Sequence, residues 1–255
     1  DYTFIQALVF DNEVLTKSDT DYVSSLRSLP ERLRDAWLYG RWDVFEGQFF
    51  PEFDPCRHVG APNLPLASLR CFAAFDYGLD MLAALVLGVD GNGNLYVLRE
   101  CCLPDLTLRQ AAQEVASLCE GLRVEYAVAS PDLWNRRQDT GKSGFEVMQS
   151  VPGMPPMCAA DNRRVPGWRV LREYLQPTDG APKLRISSVC TELIRSMPAL
   201  LCDAMRPEDA SDEPHAVTHA PEALRYAVMS RANLPTPQPA ANNTFRFAKK
   251  ERSLF

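Results

Sequence analysis

Apolar runs long enough to cross a membrane are missing from this 255-residue chain; none approaches the roughly 18–20 residues that a spanning helix needs. Nor does the chain open with a charged stretch followed by an apolar core, so no secretory leader is read there. It begins at Asp1 rather than Met, and the expectation is a fragment or processed product. Histidine is scarce, at three residues, and the eight cysteines (Cys56, Cys71, Cys101, Cys102, Cys119, Cys158, Cys190, Cys202) form no C-x-x-C pair. That scatter argues against a zinc ribbon or disulfide framework and for reduced thiols. The formal net charge of −6 argues mildly against a protein that coats nucleic acid, yet suits a site that is acidic because it holds cations. A phosphate-cradling loop is lacking too. Thr140-Gly141-Lys142-Ser143 ends like a Walker A loop, but Arg136 stands where its first Gly is needed, and Ser143 reads as a helix cap.

What is present begins with a mixed region over residues 1–66. Helical patterning runs from Asp21 to Trp42 around Pro30, followed by the aromatic, Pro-rich stretch Phe49-Phe50-Pro51-Glu52-Phe53-Asp54-Pro55. Gly60, Pro62 and Pro65 punctuate a linker, which puts a boundary near Pro65. Regular patterning then covers residues 67–231. Arg70–Asp76, Leu82–Val89 and Asn94–Cys102 are apolar runs of strand length. Asp90-Gly91-Asn92-Gly93-Asn94 makes a hairpin turn between the last two; as a calcium loop it fails, with Leu95 where Gly is required and Glu100 one residue early. Thr107 and Gln110 form a capping-box start for a helix to about Gly121. Val124–Ala129 reads as a central strand and Ser143 caps a helix through Val151. Met157–Ala159 is a short strand, Val165–Leu175 a helix, Leu184–Ser187 a strand and Ser188–Asp203 a helix. Pro221 suits the first position of a last helix. Residues 232–255 are Pro- and Asn-rich, then basic (Arg246, Lys249, Lys250, Arg252), and read as a flexible basic tail.

A three-strand meander followed by alternating helices and strands predicts an α/β fold: a mixed β-sheet flanked by helices on both faces, the order found in RNase H-like domains. Three constellations could carry chemistry on such a sheet. Phe75-Asp76-Tyr77-Gly78 closes an apolar strand, and a carboxylate there can offer oxygen to a hard cation as the chain turns away; a plain strand-ending turn is the alternative. Asp132, in Ser130-Pro131-Asp132 after the fourth strand, would lie near Asp76 if the two strands are neighbours; otherwise it caps the helix at Leu133. His219 and Glu222 flank Pro221 in a polar, acidic segment, three residues apart and able to reach one point. Carboxylates converging from separate segments repel unless protonated or neutralised, and divalent metal is the economical answer. Two ions roughly 3.5–4 Å apart suit phosphodiester hydrolysis.

Several stretches together resemble the large subunit of phage or prophage terminases. They are Phe4-Ile5-Gln6-Ala7, Asp11-Asn12, Gly40-Arg41-Trp42-Asp43, Gly47-Gln48-Phe49-Phe50, Asp76-Tyr77-Gly78, Ser130-Pro131-Asp132-Leu133-Trp134, Arg163–Trp168 and His219–Tyr226. The resemblance covers residues 1–231, and the order of the motifs carries it rather than any one of them. It implies that residues 1–66 hold the end of an ATPase region and a linker, and residues 67–231 an RNase H-like nuclease domain. Asp76 then matches the first metal-binding Asp, Glu222 the acid of the last helix, and His219 a histidine that some relatives place three residues earlier, as ligand or proton shuttle. Many relatives carry Asp where Ser130 stands here, so the middle ligand passes to Asp132 or, alternatively, to Asp212 or Glu213. The implied activity is metal-dependent endonucleolytic cutting of concatemeric viral DNA during genome packaging, with two Mg²⁺ or Mn²⁺ ions. Double-stranded DNA, the portal protein and the small terminase subunit are the implied partners, and the cytoplasm of a bacterial host the implied setting. Two rivals remain open: an RNase H-like docking module for portal or partner proteins, and an actin- or sugar-kinase-like ATPase domain. Against the second, residues 79–83 lack the Gly, Ser or Thr donors of a phosphate loop.

Overall fold

The structure, a computed structural model, describes residues 47–232 apart from 63, 79, 137, 139, 140 and 179. The helical patterning at 21–42, the motifs of residues 1–43 and the basic tail lie outside the described residues. Among the described residues, eight strands are β1 (Arg70–Tyr77), β2 (Met81–Val89), β3 (Leu95–Pro104), β4 (Val124–Ala129), β5 (Met157–Ala159), β6 (Pro177–Thr178), β7 (Ala181–Pro182) and β8 (Leu184–Ile186). Six helices there are α1 (Pro55–His58), α2 (Leu108–Cys119), α3 (Gly144–Gln149), α4 (Arg164–Leu175), α5 (Thr191–Ala199) and α6 (His219–Ala232). The main sheet runs β5-β4-β1-β2-β3-β8, with β6 and β7 as a separate small ribbon. The β1–β2–β3 meander is antiparallel, while β4 joins β1, β5 joins β4 and β8 joins β3 in parallel.

Period-two side-chain direction explains why this sheet needs cover on both faces. Along β1, Phe72 and Ala74 enter one core and Ala73 and Phe75 the other; along β2, Ala83, Leu85 and Leu87 alternate with Leu82, Ala84 and Val86 in the same way. The first core is closed by α4, α5 and α6 through Trp168, Leu171, Leu193, Met197, Ala223 and Leu224. The second is closed by α2 and α3 through Ala111, Ala112, Val115 and Met148. Each fully buried large apolar side chain contributes roughly 1.5–3 kcal/mol, so neither face could be left bare. The expected mixed sheet with helices on both faces is the observed architecture.

Local chemistry sets the boundaries. The expected Thr107–Gln110 capping box forms, and Ser143, expected as a cap, makes a second box with Glu146. Asp90 Oδ1 accepts from the backbone of Asn92 and Asn94, at 2.8 and 2.9 Å, and Gly93 takes φ +82°, which closes the β2–β3 turn. The helix expected over Ser188–Asp203 is shorter at both ends. It runs Thr191–Ala199, contains Pro198, and stops where Leu201 and Cys202 leave to bridge Gln48 and Ala210. The last helix starts at His219, two residues before Pro221.

Residues 47–60 pack onto the same body as the sheet. Phe49 and Phe50 are fully buried, and their rings sit 5.5 and 5.7 Å edge-on from Trp168. Phe49 N–H donates to Leu200 O at 2.7 Å, Cys202 N–H to Gly47 O at 2.8 Å, and Arg172 Nη2 to Phe49 O at 2.6 Å. His58, also buried, makes a 2.9 Å bond from Nε2 to Leu175 O. It is a structural histidine with both ring nitrogens engaged.

Candidate functional site

Parallel pairing of β1 with β4 matches Phe75 to Ala129, so Asp76 and Ser130 emerge side by side at the same end of the sheet. Ser130 then leads into a single 3-10 turn, Pro131–Trp134, which carries Asp132 outward. Asp132 is exposed and accepts a long bond from Ser130 Oγ at 3.4 Å. It does not cap the turn, whose cap position is Ser130. On the other side α6 lies against β1, β2 and β4. Its first turn delivers His219 and Glu222 to the end of the sheet where Asp76 stands. The result is a cleft of about 250 Å³ lined by Asp76, Asp132, His219 and Glu222, together with Arg164 and Asp212. Two roomier hollows, of about 430 and 500 Å³, gather one carboxylate each, Glu120 and Asp105, and no converging set.

Hydrogen bonds tie the cleft together. His219 is buried; its Nδ1 lies 2.9 Å from Asp76 Oδ2 and its Nε2 3.1 Å from Asp80 Oδ2. The bond to Asp76 raises the imidazole pKa above its ordinary value, against burial, which pulls it down. Glu222 behaves differently. Burial pushes its carboxyl upward, and two arginines oppose that rise: Arg225 Nε donates to Oε2 at 2.7 Å and Arg164 Nη1 lies 3.6 Å from Oε1. Arg164 also bonds Asp209 at 3.0 Å and Asp212 at 2.6 Å, and Asp209 takes Trp168 Nε1–H at 2.9 Å. Arg225 itself is sandwiched, 5.2 Å from the Trp168 ring and 4.6 Å from that of Tyr226. Only glycine fits opposite it on α4, since a Cβ at Gly167 would come 2.7 Å from Arg225 Cγ.

No protein-family profile matches the sequence, and no curated protein does. Solved structures do match. The large terminase of a thermophilic bacteriophage aligns at 19% identity and TM-score 0.58, over 89% of this chain and 55% of that one. The large terminase nuclease of thermophilic phage G20c aligns at 11% identity and TM-score 0.50, over 74% of this chain and 100% of that one. The same G20c nuclease with bound magnesium aligns at 11% and TM-score 0.51, over 72% and 98%. The fold is that of the large terminase nuclease. The chain spans just over half the length of the first of these proteins.

Within this terminase nuclease fold the four residues singled out from the sequence, Asp76, Asp132, His219 and Glu222, come to one cleft from three separate segments. Of the alternatives for the middle acid, Asp212 lines the cleft but is bound to Arg164, while exposed Glu213 is not among the lining residues. The lookalikes resolve into structure: Ser143 caps α3, the Asp90 loop is a hairpin, and Cys101-Cys102 sits half-buried in β3. The sequence reading missed Asp80, Arg164 and Arg225. Glu222 and Arg225 three residues apart on a helix is a readable pair; Asp80 gave no such signal, because only the β1–β2 turn folds it back toward His219. As donors, Asp76 and Asp132 offer carboxylate oxygens that suit a hard divalent cation, whereas the charge of Glu222 is already balanced by Arg225 and Arg164.

Proposed function

We propose that this chain is a divalent-metal-dependent DNA endonuclease of the large terminase type, cutting concatemeric viral DNA by phosphodiester hydrolysis. The observation that carries the reading is the convergence of Asp76, Asp132, His219 and Glu222 on one cleft at the end of two adjacent parallel strands. The G20c nuclease of the same fold has been crystallised with magnesium. Asp76 and Asp132 would hold Mg²⁺ or Mn²⁺, with Glu222 as the third acid. Bound there, a pair of such ions would activate water and stabilise charge on the leaving oxygen. Asp76 keeps its orientation through His219, which holds a proton in the cleft on a side chain of raised pKa. Arg164 keeps positive charge at the edge of the acidic cluster, where a DNA phosphate would approach. The expected partners are double-stranded DNA, the portal protein and the small terminase subunit, in the cytoplasm of a bacterial host.

A second reading, a docking module that no longer cuts, is favoured by one feature: Glu222 is neutralised by Arg225 before any cation arrives. Supercoiled plasmid incubated with Mn²⁺, beside an Asp76→Asn control, separates the two. Nicking that disappears in the control supports the nuclease. Manganese binding by calorimetry without cutting supports docking. Equal cutting by both proteins removes Asp76 from the mechanism.

A further inference from the structure

Asp80, His215 and His219 form a second cluster at the edge of the cleft, sharing His219 with the set just described. His215 Nδ1 lies 2.8 Å from Asp80 Oδ2, and His219 Nε2 lies 3.1 Å from the same oxygen. The two imidazole rings meet edge-on, centroids 4.6 Å apart at 87°. One ligand atom from each of the three residues can be chosen so that all lie within 4.8 Å of one another. They arrive from three places: the β1–β2 turn, the 3-10 turn His215–Val217 and the first residue of α6. The Asp80 carboxylate folds back over Gly78, where an added Cβ would come 2.5 Å from Oδ1.

We propose that Asp80, His215 and His219 form a second cation site, selective for a borderline transition ion such as Zn²⁺ over Mg²⁺. Two imidazole nitrogens and one carboxylate oxygen are the donor set of a three-ligand zinc site whose fourth position stays open. Magnesium prefers all-oxygen octahedral surroundings, so the same set discriminates against it. His219 Nδ1–H donates to Asp76, the carboxylate–histidine arrangement that orients metal-binding imidazoles, and its Nε2 points at Asp80 Oδ2, where a cation would displace the proton shared between them. Entry is open, because the Asp80 and His215 side chains are 54% and 56% exposed while His219 anchors the floor. Loading the site fixes the far end of His219 and hence the Asp76 carboxylate that it holds. The site does not rest on the nuclease reading and would exist in a docking module equally.

Cobalt(II) serves as the probe, because a low-coordinate nitrogen-bearing site gives visible absorption that hexa-aqua cobalt lacks, and zinc competition then reports affinity. The full chain is expected to develop the band at one equivalent, to lose it on stoichiometric zinc, and to keep it in a large excess of Mg²⁺. His215→Ala and Asp80→Asn, both at exposed positions, should each weaken binding by roughly tenfold or more, with the thermal melt of the apo protein unchanged. Asp76→Asn should retain the band with affinity roughly 10–100-fold lower, the usual effect of losing an outer-sphere partner. No band in the full chain, or an undiminished band in both His215→Ala and Asp80→Asn, would overturn the proposal. A band with no plasmid cleavage leaves this site standing and defeats only the nuclease reading.

Discussion

Replacing Phe49 by alanine tests whether residues 47–60 belong to the folded body or only residues beyond the prolines at 62 and 65 do. The side chain is fully buried, touches Phe50 and Trp168 edge-on, and has the Arg172 guanidinium 4.7 Å from its ring centre. Truncating such a residue removes its transfer energy and leaves a cavity that a rigid α4–sheet interface cannot close, about 3–5 kcal/mol in all. The edge-to-face pairs, about 0.5–1.5 kcal/mol each, fall within that loss rather than adding to it. For a body of this size each kcal/mol moves the midpoint by about 2–4 °C, so Tm should fall by roughly 6–20 °C. Urea unfolding followed by tryptophan fluorescence reads the loss directly, since Trp168 sits in the affected cluster. A linker residue would behave like a surface position, within about 0.5 kcal/mol of the parent. That small a change would refute the assignment of residues 47–60 to the core.

Other expectations concern charge and thiols. Arg225→Met strands Glu222 in a buried place with only Arg164 beside it, and breaking such a pair costs about 3–5 kcal/mol. The Glu222 carboxyl is already raised by burial and should rise further. A raised acid contributes stability that is complete below its unfolded pKa of about 4.3 and is lost as pH climbs through the folded value. The deficit of the variant should therefore be small near about pH 4 and full at about pH 7–8 in paired urea titrations; a deficit independent of pH counts against the pairing. Burial pushes the Cys102 and Cys190 thiols up to about 12 and Cys119 to about 11. Iodoacetamide at about pH 8 should therefore label exposed Cys56 in the native protein and spare those three until it unfolds. Peptide mapping that finds Cys102 or Cys190 modified early would contradict that burial.

What was legible in the sequence was whatever local chemistry decides. The runs at Arg70–Asp76 and Leu82–Val89 are apolar nearly throughout because both faces of those strands are covered, and the Asp90–Asn94 turn, the Thr107–Gln110 capping box and the Ser143 cap are spelled within a few residues each. Asp76 was visible because an acid at the end of such a strand stands out. What was not legible depends on distant parts meeting. Phe49 and Phe50 read only as part of an aromatic, Pro-rich stretch; what buries them is Trp168, far along the chain. The helix from Thr191 ends early because Leu201 and Cys202 are wanted elsewhere, by Gln48 and Ala210. Glu222 was found, but its arginine partners were not, and they change its chemistry from a free acid to a compensated one.

The bridge of Gln48 to Leu201, with Phe49 buried behind it, also ties the start of the described body to the cleft. Residues 48 and 49 are held by the segment after α5 and by Trp168, whose hydrogen bond to Asp209 leads on to Arg164 and the carboxylate of Glu222. Loss of the Phe49 ring is therefore expected to loosen not only the core but also the arginine that faces the cleft.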